Sequence, residues 1–96
     1  MANYKAVYRG CISDIEGIKS LFDHTTGRCR DLESARQRMP ELKAGWGELK
    51  KQYWGTEAES VVREALTRIE VKSNSTPNQQ WLDDLISAEI DLKSYL

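Results

Sequence analysis

His24 beside Asp23 is the pair in this chain that comes nearest to a general base with an orienting carboxylate. No nucleophile or second ligand is spaced to join it, so the simpler reading is a solvated loop histidine. Asp83-Asp84 is the next candidate, as a cation ligand. Adjacent helical residues point about 100° apart and do not converge. Their place in the first turns of a helix accounts for them as partners of its macrodipole. Arg28, Arg30, Arg36 and Arg38 could touch phosphates, but Asp31 and Glu33 interleave with them, and ion pairing on a helix surface is the default. Cys11 and Cys29 lack CxxC spacing and have one histidine for company, which argues against a zinc site. On one continuous helix they would lie about 27 Å apart, too far for a disulfide. Both read as small buried or half-buried apolar residues. With no glycine-rich phosphate loop either, the chain reads as a non-enzymatic protein without metal or cofactor.

Composition agrees with that. Ninety-six residues make one small domain, and 14 basic against 15 acidic side chains give a formal charge of -1, so overall charge does not argue for nucleic acid. The charge is uneven: residues 73–96 hold Asp83, Asp84, Glu89 and Asp91 against Lys93 alone, while the arginines at 28–38 carry a compensating positive segment. No apolar run approaches the twenty or so residues of a membrane span, and MANYKAVYRG lacks the apolar core of a signal peptide. The expected location is the cytoplasm, or outside the cell by a route without a cleaved leader.

The elements that position these residues are helical. From Ile15 the apolar positions are Ile15, Ile18, Phe22, Thr25, Cys29, Leu32, Ala35, Met39, Leu42, Trp46, Leu49 and Tyr53, in steps of threes and fours. Thr25-Thr26-Gly27 and Pro40 interrupt a helical run, yet the phase survives them, which favours one long kinked helix. Residues 1–12 read as a flexible arm, because Gly10 weakens a helix and Ser13 with Glu16 offers a cleaner capped start. Gly55 can end a helix in the left-handed conformation, and Thr56 with Glu59 forms a capping box, so stop and start fall within two residues. Ala58, Val61, Val62, Ala65, Leu66 and Ile69 stripe the next arm, Lys72–Thr76 breaks it, and Thr76-Pro77-Asn78-Gln79 opens a last helix. The fold class is all-α. The favoured architecture is an antiparallel helical hairpin with kinked or broken arms. The alternative treats the breaks as real corners, giving a compact four- to five-helix bundle.

The segment Leu49, Tyr53, Trp54, Gly55 resembles the bend of the small Trp-x-Gly (WXG) helical hairpins handled by type VII, or ESX, secretion systems. Tyr53 stands where that family has Trp, and no Tyr-x-x-x-Asp/Glu signal lies near the C-terminus; Tyr53 to Glu57 has that spacing but lies at the bend. The resemblance implies a small non-enzymatic protein that pairs with itself or a related hairpin, or accompanies a larger effector as its partner or chaperone. The expected partner-binding residues are Ile18, Phe22, Leu32, Trp46, Trp54 and Trp81, all of which an internal core would explain equally well. The competing class is a compact helical regulator, an immunity protein or a phage-encoded inhibitor, acting through a charged face. A nucleic-acid interface on the arginine segment is a third reading, marked by affinity that falls steeply with salt.

Overall fold

The apolar threes and fours resolve into four helices rather than two arms. A computed structural model describes residues 3–70 and 77–96. Its helices are α1 (Lys5–Lys19), α2 (Leu32–Gln52), α3 (Glu57–Glu70) and α4 (Gln79–Lys93). The expected break at Ser73–Ser75, and Thr76 as the cap of the last helix, lie outside the described residues.

The expectation of one long helix from Ile15 to Tyr53 is corrected at residues 20–31. There the poor helix formers build a tight loop. The Asp23 carboxylate accepts from the backbone N–H groups of Thr25 (2.8 Å) and Thr26 (3.4 Å), and Gly27 takes φ +73°. The N–H of Asp23 donates to the carbonyl of Arg28, and that of Arg30 to Leu21, both at 2.7 Å, around an antiparallel bridge of Phe22 with Cys29. Gly27 is buried against the side chain of Gln79, at the start of α4, where a Cβ would collide. Asp31 then caps α2, its carboxylate accepting from the N–H (3.0 Å) and hydroxyl (2.7 Å) of Ser34. Pro40, by contrast, sits inside α2 on its exposed side and makes no corner, while Met39 before it stays buried and helical.

Residues 5–12, expected within a flexible arm, are helical: α1 begins at Lys5, and Ser13 lies in its interior. Burial of Tyr8, Cys11 and Ile12 outweighs the helix cost of Gly10, which is exposed with nothing near it. The reversal at Gly55 is present, with φ +80° and the N–H of Thr56 donating to the carbonyl of Tyr53 at 3.0 Å. Only half of the expected capping box forms. The Thr56 hydroxyl accepts from the N–H of Glu59 at 3.4 Å, but the Glu59 carboxylate turns to Arg63 at 3.3 Å. Asn78 caps α4, accepting from the N–H groups of Gln80 and Trp81.

Contacts between helix ends make the order up-down-up-down. Tyr4 meets Tyr53 and Tyr8 meets Tyr95 at one pole, while Gly27 meets Gln79 at the other. α4 packs on both α1 and α3, and α2 on α3; α1 and α2 close the ring only thinly. Buried side chains from all four helices and Phe22 of the α1–α2 loop form one core, with Trp46, Phe22, Ile15, Leu85 and Leu92 among the largest. The extents are 42 × 22 × 18 Å and the Cα radius of gyration is 13.1 Å, close to the ~12.5 Å of a chain this long folded as one unit. This matches the compact four- to five-helix alternative.

The two glycine environments set the sign of two substitutions. Gly27→Ala should lower the thermal midpoint by about 5–10 °C, since a left-handed alanine costs roughly 1–2 kcal/mol before Gln79 moves. Gly45→Ala, in open space on a helix, should raise it, by up to ~5 °C; thermal unfolding by circular dichroism reads both. The hydrogen bonds at Asp23 and Asp31 hold both carboxyls below their ordinary value of 3.8. Their contribution to stability is therefore complete above that value and is lost as pH falls through the depressed ones. Asp31→Asn, which keeps a neutral acceptor at the cap, should flatten the acid limb of a stability–pH curve.

Candidate protein-binding surface

Four of the six residues expected at a partner interface are core. Ile18, Phe22, Trp46 and Trp81 are buried, so no partner reaches them in this conformation. Ile18, Trp46 and Trp81 lie on helical stripes and Phe22 points inward from the α1–α2 loop, and their size is spent filling the interior. The Trp46 indole N–H is satisfied there, donating to the Asp14 carboxylate across the α1–α2 seam at 3.0 Å. Leu32 and Trp54 are exposed, at 42% and 77%. They flank opposite ends of α2, roughly 30 Å apart at 1.5 Å per residue, and do not make one patch.

The candidates for chemistry separate in the same way. The His24 ring lies 3.2 Å from the carbonyl of Lys19, and Asp23 is committed to backbone N–H groups rather than to the ring. Asp83 accepts from Gln79 and Asp84 from Gln80, each one turn back along α4. Arg30 donates to the carbonyls of Ser20 and Phe22, and Arg38 to that of Gly17. These two arginines tie the C-terminal end of α1 to the loop and to α2, and do not converge on one anion. Among the described residues no group of three metal-binding side chains comes together, and no helix is long and apolar enough to cross a membrane. A shallow cleft of about 430 Å³ along the α1–α2 seam is lined by Ser13, Asp14, Gly17, Arg38, Glu41 and Gly45 among others. Its two cross-links, Asp14 to Trp46 and Arg38 to Gly17, tie together a thinly packed pair of neighbouring helices.

A feature without a counterpart in the sequence reading is that all four tyrosines gather at one pole. Tyr4 meets Tyr53 edge-on, with ring centres 5.8 Å apart and planes at 83°. Tyr8 meets Tyr95 at 5.5 Å and 51°. Trp54 stands at the α2–α3 corner of the same pole, beside Tyr53. Between α1, α3 and α4 a cavity of about 150 Å³ is lined by Asn3, Tyr4, Lys5, Tyr8, Glu57 and Tyr95. The Tyr8 hydroxyl is buried and has no hydrogen-bond partner among the described residues. Desolvation raises its pKa, and the nearby Glu57 carboxylate adds to that, so it stays protonated at neutral pH. The only trace of this pole in the sequence is that each tyrosine sits near an end of a helix.

The cysteines differ in access. Cys11 is buried in α1, where desolvation first and Asp14 second push its thiol up to about 12; Cys29 is half-buried in the loop. Alkylation of the native protein should therefore modify Cys29 and leave Cys11 unreacted until denaturant is added, which peptide mapping by mass spectrometry will show.

Compared with models of known protein families, with curated proteins and with solved structures, the chain gives no match.

Proposed function

We propose that this protein acts by binding another protein through its aromatic pole, with Trp54 as the anchor, and carries out no reaction of its own. The observation that supports this is the exposure of Trp54 at the α2–α3 corner, with Gly55 beside it leaving open space. A tryptophan left in water gives up an apolar surface that an interface would bury, and such residues recur as interface anchors. Because one chain already closes its own core, the reading that fits best is a compact helical regulator or inhibitor acting as a monomer. The pairing hairpin of the WXG type keeps one feature in its favour, the Leu49–Tyr53–Trp54–Gly55 bend. There the protein would join a second hairpin or a larger effector along its arms, the surface that α1 and α4 occupy here.

Light scattering after size exclusion separates the two readings: a monomer supports the regulator, a stable dimer the paired hairpin. For the surface itself, a photo-crosslinking amino acid at position 54, in cells that make the protein, should give one discrete adduct. The same probe at the exposed position Glu64 should give none. Trp54→Ala should leave the unfolding midpoint unchanged, yet weaken the purified complex by roughly thirtyfold, the equivalent of about 2 kcal/mol. Equal adducts at both positions, or none at 54, would remove this reading.

A further inference from the structure

The cavity beside Trp54 has a chemistry of its own. Tyr4, Tyr8 and Tyr95 wall it with rings at different inclinations, and Glu57 adds a carboxylate that forms no ion pair among the described residues. The Tyr8 hydroxyl is itself buried and has no partner among the described residues, so an occupant meets the ring of Tyr8 rather than its hydroxyl. An apolar occupant would strip water from Glu57. An anionic occupant would meet the carboxylate. A cation suits the tyrosine rings and the carboxylate charge together. At about 150 Å³ the space suits the head and part of the stem of one side chain and falls short of the ~300 Å³ or more of a small-molecule pocket. Two helix N-termini (α1, α3) and two C-termini (α2, α4) meet at this pole, so their dipoles offset and side chains decide the sign. Lys5 is the opposing charge on the lining.

We propose that the Tyr4–Tyr8–Tyr95 cavity, with Glu57 as counter-charge, is a cage for the ammonium or guanidinium head of a lysine or arginine on the partner protein. This rests on the reading of the pole as a protein-binding surface and adds the chemistry of one contact.

Tyrosine-ring NMR of the full chain, titrated at constant ionic strength with n-butylammonium, n-butylguanidinium and the neutral n-butylurea, tests it. Both cations should move the Tyr8 and Tyr95 ring signals saturably, with a Kd on the order of millimolar, and the urea should not. Glu57→Gln should weaken the cations by about fivefold while lowering the unfolding midpoint by no more than about 5 °C, the cost of a lost first-turn charge on α3, and Lys5→Gln should tighten them. Equal shifts with the urea, shifts that never saturate, or indifference to Glu57→Gln would each overturn the cage. Should the cations fail while Trp54→Ala still dissociates the crosslinked partner, the cage falls and the binding surface stands. Should they bind while position 54 captures nothing, the cage stands as a cation site and the binding surface falls.

Discussion

The packing of the first helix against the last holds this bundle together. The α2–α3 corner alone is a two-helix seam, too little apolar contact to fold a chain this short. α4 supplies the rest by lying against α1 and α3 together, and Tyr8, Cys11, Ile15 and Ile18 on α1 join Leu82, Leu85, Ala88 and Leu92 on α4 in the closed core. At this seam lies a buried acid. Glu89 takes the Lys19 ammonium at 2.8 Å and that of Lys93 at 3.7 Å, while its second oxygen is unpartnered. A half-satisfied buried carboxylate adds little net stability. It penalises any register of α1 on α4 that separates it from Lys19, because an unpaired buried charge costs more than the pair gains.

The helical class and the reversal at Gly55 are legible in the sequence because both are local. Spacing in threes and fours needs only neighbouring residues to declare itself, and a glycine between Trp54 and Thr56 has few other uses. The false continuity of α1 into α2 has its cause in the loop. Phe22 and Cys29 point inward from residues 20–31 just as they would from a helix, so the apolar phase runs on where the helix does not. Phase records which residues face the core, not the backbone that carries them there. Pro40 misleads in the opposite direction. On the solvent side of a 21-residue helix the loss of one hydrogen bond is borne by the burial of Ala35, Met39, Leu42 and Trp46. Tertiary burial likewise overrides the weak local propensity around Gly10.

The tyrosine pole is hidden from the sequence for a deeper reason. Tyr4 and Tyr95 stand at the two ends of the chain, and Tyr53 lies near its middle. Only the up-down-up-down order brings them together, and that order depends on the corner at Gly27, which the unbroken apolar phase disguises. Trp54 is more legible. One residue beyond Tyr53 it must point about 100° away, and since Tyr53 packs toward the core, Trp54 is turned outward. The two buried tryptophans obey the same logic in reverse, being in phase with their stripes.

The two poles of the bundle differ in how far their polar and aromatic groups are satisfied within the chain. At one, the α1–α2 loop is pinned by Asp23, Arg30 and Asp31, and its glycine is pressed onto Gln79, so backbone and side chains are mutually satisfied. At the other, polar and aromatic groups among the described residues are left with unused capacity: a bare indole, a buried hydroxyl without a partner, a carboxylate outside any ion pair. A fold of this size has little stability to spare, and buried polar groups are ordinarily paired. Of the buried oxygens without a partner among the described residues, Tyr8 Oη lies at the tyrosine pole, while Asp84 Oδ2 and Glu89 Oε2 lie along α4.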